Sequence, residues 1–97
     1  MKKIAIVSEH ASPLALAGSV DSGGQNIYVA QTARQFAAAG HQVDIFTRRD
    51  DALLPAEVGW HPGIRVIHVP AGPARYVPKE DLLPYMDDFS AFLLRYF

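Results

Sequence analysis

An α/β domain with an open parallel sheet is the fold class this sequence predicts, and three observations carry it. Three short runs, residues 3–8, 42–47 and 64–69, are apolar and rich in β-branched residues, as strands buried in a parallel sheet are. Two longer stretches, starting at Gly24 and Met86, repeat their apolar residues at helical spacing. The order is strand, helix, strand, strand, helix, which suits an α/β sheet with crossover connections.

The run 3–8, Lys-Ile-Ala-Ile-Val-Ser, stops at polar residues and reads as a strand covered on both faces. Residues 9–23 form a loop holding Pro13, Gly18 and Gly23. A loop that long without structure of its own is usually functional. Residues 24–39 are the clearest helix. At about 100° per residue, Val29, Ala30, Ala33, Phe36 and Ala37 share one face, and Gln31, Thr32, Arg34 and Gln35 lie away from it. Gly40 then caps the helix, where the backbone needs positive φ. In the second strand, 42–47, the central Asp44 points to a sheet edge. Residues 48–63 are polar, with Pro55, Gly59, Pro62 and Gly63, and read as a loop. Arg48 and Arg49 read as a solvated strand end, and Trp60 as a loop residue covering a core edge. The third strand, Ile64–Val69, is broken by Pro70-Ala71-Gly72-Pro73, and residues 79–83 form a short turn before Pro84. In the last helix, 86–97, Met86, Phe89, Phe92, Leu93 and Tyr96 make one stripe. Asp87 and Asp88 occupy its first turn, where the helix dipole favours them. No Gly, Asn or Pro closes that helix before Phe97. Residues 1–97 are therefore expected to be the N-terminal part of a longer chain, with apolar surface left for the remainder to cover.

Composition excludes several classes. The chain is 49% hydrophobic and 20% charged, unlike a disordered segment. Nine Lys+Arg against ten Asp+Glu give a net charge of -1, so no basic excess draws nucleic acid or an anionic membrane. The apolar runs are too short for a transmembrane helix. The run after Met1-Lys2-Lys3 is too short for a signal peptide, which makes the cytoplasm the expected location. With no cysteine there is no disulfide framework, thiolate nucleophile or cysteine metal site. No His/Asp/Glu cluster has metal-ligand spacing, so no metal is expected; on the leading reading developed below, no cofactor is expected either.

Ligands of open α/β sheets bind at the carboxyl ends of the strands. Here that place holds Asp21-Ser22-Gly23-Gly24-Gln25-Asn26. Gly23 and Gly24 let a ligand approach the backbone closely. The first helical N–H groups, together with the macrodipole, make an anion site for a phosphate or diphosphate. A plain tight turn with Asp21 or Ser22 as helix cap is the other reading. Neither the Gly-x-Gly-x-x-Gly fingerprint nor a Gly-x-x-x-x-Gly-Lys-Ser/Thr loop is present. Thr47-Arg48-Arg49 could meet an NADP phosphate, which keeps an NADP-linked oxidoreductase open as an alternative. A non-catalytic nucleotide-binding module of the same fold is another.

His10-Ala11-Ser12-Pro13-Leu14, followed by Asp21-Ser22-Gly23-Gly24-Gln25-Asn26-Ile27-Tyr28-Val29, resembles the N-terminal half of the family 4 retaining glycosyltransferases. The similarity is to the branch of sucrose-phosphate synthases, sucrose synthases and inositol-phosphate N-acetylglucosaminyltransferases. Phe46-Thr47-Arg48, Val69-Pro70-Ala71-Gly72-Pro73 and Lys79-Glu80-Asp81-Leu82-Leu83-Pro84 extend it over nearly the whole chain. The resemblance implies a GT-B architecture of two facing Rossmann-like halves, with residues 1–97 in the acceptor-side half and the donor-side half absent. It implies transfer of a sugar from a nucleotide-sugar donor, with UDP the expected nucleotide, to a small sugar or polyol hydroxyl, with retention and without a metal at the diphosphate. Such a piece is not expected to catalyse transfer alone.

By the same resemblance, Gly23 and Gly24 lie against the donor diphosphate, and Leu16 and Ala17 approach the donor through their backbone. His10, Asp21 and Asn26 would contact the acceptor. Lys79, a compact cation on a long stem, would hold an acceptor phosphate. Tyr28 reads as packing rather than ligand contact, and His41, His61 and His68 as structural. The donor sugar, the acceptor's identity and the oligomeric state are not legible in these residues.

Overall fold

The computed structural model describes residues 2–9 and 24–96. The three predicted strands form as β1 (Lys3–Val7), β2 (Gln42–Arg48) and β4 (Ile64–Val69). The helices form as α1 (Gly24–Ala38) and α2 (Met86–Tyr96). A strand that periodicity did not reveal, β3 (Glu57–His61), lies inside the segment expected to be a loop. The sheet order is β1-β2-β4-β3. β1 and β4 both run parallel to β2, and β3 runs antiparallel to β4.

β3 explains how β2 and β4 can be parallel neighbours with no helix between them. Parallel strands need a crossover of a dozen or so residues. Here the chain leaves β2, passes along the far side of β4 as β3, and returns through the Pro62-Gly63 turn. The ladder between β3 and β4 shifts register between Gly59 and His61, a bulge that disrupts regular alternation in the strand's sequence. Trp60 accordingly stands in a strand rather than a loop, packed against the core.

Two apolar clusters sit on opposite faces of the sheet. Val29 and Ala33 of α1 pack on Val43, Ile45, Ile64 and Val66, with Ile4, Ile6, Ala37 and Trp60 around them. On the other face Phe89 of α2 packs on Phe46, Ile67, Val69 and Ala71, with Tyr85, Met86, Phe92 and Leu93 around it. The ring of Phe46 meets Tyr96 edge-on at 5.0 Å. The residues of β2 and β4 alternate between these clusters, which is why both strands read as continuous apolar runs.

Several expectations are corrected. β1 is covered on one face only: Ile4 and Ile6 face α1, while Lys3, Ala5 and Val7 are exposed. Asp44 lies not at a sheet edge but in β2, between β1 and β4. Its carboxylate is partnered by Arg65, its register neighbour, through bonds of 3.0 and 2.9 Å. Arg65 also reaches Glu57 and the Tyr96 hydroxyl. The hydrogen bond to Asp44, foremost, holds the Arg65 guanidinium above its ordinary pKa. Phe36 and Tyr28 are both exposed, so neither is a packed core residue.

α1 ends as Gly40 predicts. At φ 93°, Gly40 donates to the Ala37 carbonyl and His41 donates to the Phe36 carbonyl, the paired bonds of a Schellman cap.

Candidate functional site at the carboxyl ends of the strands

The three parallel strands end together. Beyond β1, the Ser8 N–H donates to the Phe46 carbonyl at 2.9 Å, and Glu9 accepts from the Arg48 N–H at 3.2 Å. Beyond β2, the Arg49 N–H donates to the Val69 carbonyl at 2.8 Å. Residues 8–9, 48–49 and 69–71 thus form one rim, with Ser8, Arg48, Val69 and Ala71 buried in it.

α1 points its amino end at this rim. Its last turn lies at the opposite end of the sheet, where Ala37 Cβ would stand 3.7 Å from a Cβ built on Gly63. Fifteen residues of helix span about 22 Å, enough to run the length of the strands. Gly24 therefore opens the helix on the rim's side, where the first N–H groups have no intrahelical acceptor. No acidic residue stands in the first turn to offset the positive end of the dipole.

Arg48 shapes the third wall. It was expected to be solvated, yet it is 4% exposed. Its Nη1 donates to the carbonyls of Ala71 at 3.2 Å and Pro73 at 2.6 Å, and its Nη2 donates to the carbonyl of Arg75. Burial draws its pKa below the ordinary arginine value, although a guanidinium stays charged in proteins. The side chain is therefore turned into the protein, and its guanidinium is not free to meet an NADP phosphate. Arg49 is only half-buried and bonds the Ala52 carbonyl at 2.7 Å. For the burial of Arg48 the sequence carries no signal, because the acceptors are main-chain carbonyls of a distant segment.

The remaining candidates divide by location. Asn26 lies in the first turn of α1, and Lys79 opens the short 3₁₀ turn Lys79–Asp81; the side chains of both fall outside what is described. His10, Leu16, Ala17, Asp21 and Gly23 lie outside the described residues. His68, taken as structural, is buried with Nδ1 2.7 Å from the Pro55 carbonyl. His41 accepts from the Lys2 N–H at 3.2 Å, and His61 lies 3.3 Å from the Arg34 guanidinium. A shallow depression lined by His41, His61, Gly63 and Arg65 is at the amino ends of β2 and β4, away from the rim. Among the described residues, no group of three or more His, Asp or Glu side chains could hold a metal ion. Nor is any helix among them long and apolar enough to cross a membrane.

Known proteins are similar to this chain in sequence, and a solved one also in fold. The D-inositol 3-phosphate glycosyltransferase 1 of Catenulispora acidiphila is 50% identical over 93 residues, which is 96% of this chain and 22% of that protein. The D-inositol 3-phosphate glycosyltransferase of Xylanimonas cellulosilytica is 44% identical over 93 residues, again 96% and 22%. The solved sucrose-phosphate synthase of Thermosynechococcus elongatus superposes with a TM-score of 0.94 at 40% identity, over 99% of this chain and 24% of that one. The chain thus spans under a quarter of the length of these relatives. Residues 23–96, from just before α1 to the end of α2, match the glycosyl transferase 4-like domain. With the sheet, the helix opening on its rim and that match in agreement, the chain belongs to the glycosyl transferase 4-like domain family.

Proposed function

We propose that this chain is part of the acceptor-side half of a two-domain retaining glycosyltransferase. It takes a sugar from a nucleotide-sugar donor, with UDP as the nucleotide, and transfers it to a hydroxyl of a small phosphorylated acceptor. The observation that carries the reading is the opening of α1 at Gly24 on the carboxyl rim, within a chain of this family. A diphosphate leaving group gains negative charge as the sugar departs. Backbone N–H groups already aimed at it stabilise that charge without reorganising, and more strongly in a closed, dry cleft than in water. A helix amino end also supplies part of the positive charge that a metal would otherwise bring.

The relatives' names support the acceptor class proposed. Both curated relatives are named for D-inositol 3-phosphate, and the solved one for sucrose phosphate. A phosphorylated polyol or sugar is the common chemistry, and Lys79 is a cation suited to its phosphate. His10, Asp21 and Asn26 would bracket the acceptor hydroxyls, with Leu16, Ala17, Gly23 and Gly24 on the donor side.

The test is a fluorescence titration of the full-length enzyme with UDP and with NADPH, followed by a transfer assay using D-inositol 3-phosphate. The reading predicts saturable UDP binding, no NADPH binding, and a product that keeps the donor's anomeric configuration. Binding of NADPH alone would contradict it.

A further inference from the structure

Arg48 is a buried cation that meets three main-chain carbonyls, those of Ala71, Pro73 and Arg75. Burying a charge is unfavourable unless the site satisfies it. The three carbonyls belong to one segment, the strap that leaves β4 and leads to the turn opened by Lys79. The strap is held from a second side as well. Gly72, at φ 75°, lies so close to the Tyr85 ring that a Cβ there would come within 2.6 Å of it. A guanidinium at the end of a central strand on one side and an aromatic ring on the other leave this strap one backbone path.

We propose that Arg48 is a positioning residue for acceptor binding: it fixes the Ala71–Arg75 strap and thereby sets where the Lys79 turn stands relative to the rim. The inference rests on the functional reading above, because it gives that strap an acceptor to serve. In this role Arg48 acts through the strap carbonyls it holds. Its two donor nitrogens span carbonyls that one lysine ammonium, a point donor, cannot reach together.

Steady-state kinetics of the full-length enzyme test this, with D-inositol 3-phosphate and unphosphorylated inositol as acceptors. Arg48→Lys is expected to raise the KM for the phosphorylated acceptor on the order of tenfold, as loss of buried charge-assisted bonds would. The donor KM should stay within about twofold, in keeping with an effect confined to one wall of the cleft. Gly72→Ala, which disturbs the same strap from the Tyr85 side and leaves Arg48 in place, should shift the same constant. In a Lys79→Met background, Arg48→Lys should add almost nothing, because its effect runs through that turn.

A merely structural role gives another pattern. Misfolding lowers the active fraction and hence the apparent kcat, leaving both KM values unchanged. That pattern, equal shifts in donor and acceptor KM, or full additivity with Lys79→Met would overturn the proposal. If the variants do shift as predicted, lysine failing to rescue Arg48 identifies the fork rather than the charge. A wild-type enzyme that treats inositol and its phosphate alike would overturn the functional reading together with the inference. One that requires the phosphate while Arg48→Lys behaves as wild type would overturn the inference alone.

Discussion

At the scale of single residues, Gly40 and Gly72 show how similar backbone angles carry different demands. Both have positive φ, 93° and 75°. Around a Cβ at Gly40 there is open space within 4 Å, so Gly40→Ala meets only the conformational penalty of the left-handed region, about 1–2 kcal/mol. At Gly72 the same methyl meets the Tyr85 ring as well. Denaturant unfolding should therefore rank Gly72→Ala below Gly40→Ala in stability. Equal midpoints for the two variants would mean that Tyr85 moves aside freely. Glycine as a helix cap was legible from sequence, because the apolar stripe stops just before Gly40. Gly72 sits in a Pro-Ala-Gly-Pro break that announces a turn but gives no sign of the aromatic ring that closes on it.

Elements depend on pairings between strands, which one strand's sequence does not show. Asp44 looked like an edge residue because a carboxylate in a central strand is unfavourable without a partner. The partner, Arg65, is 21 residues on and directly across the ladder. The pair is bidentate, yet Arg65's side chain is 38% exposed, so its coupling energy should be modest, about 1 kcal/mol. A double-mutant cycle of Asp44→Asn with Arg65→Gln measures it, and a coupling near zero would make the fork ornamental. Phe46, fully buried between Phe89 and Tyr96, belongs to the other regime. Phe46→Ala should lose about 3–5 kcal/mol, the range for deleting a buried aromatic ring, and its unfolding midpoint should fall far more than that of Asp44→Asn. β3 escaped notice for a related reason. Its bulge and its Gly59 disturb the alternation that marks a half-buried strand, although Val58 and Trp60 before Pro62-Gly63 and the apolar run from Ile64 are the outline of a hairpin.

Across the whole molecule, the parallel strands and the two helices could be read from periodicity, and the direction of α1 follows from them. Placing a helix after β1 and before a parallel neighbour puts its amino end at the carboxyl rim whatever the side chains are. The candidate site is therefore partly a consequence of topology, and the proposed function assigns its chemistry to Gly23 and Gly24. What could not be read is how the rim is walled. Arg48 ends β2 two residues before Asp50, whose charge it feels, yet its hydrogen-bond acceptors are three carbonyls 23 to 27 residues further along the chain. Backbone acceptors carry no signature in side-chain identity, so a cation satisfied by them looks solvated until the fold is known.

The central claim is that the amino end of α1 receives the donor's diphosphate. It is tested most directly by calorimetric titration of UDP into the full-length enzyme carrying Gly24→Val, alongside circular dichroism to show that the fold is kept. A side chain at this position blocks the close approach of phosphate to backbone N–H groups, and losing one such preorganised donor is worth on the order of 100-fold. The account predicts weaker UDP binding and a loss of transfer of at least that size, with the spectrum unchanged. A folded Gly24→Val enzyme that binds UDP as tightly as the wild type and still transfers sugar would contradict it.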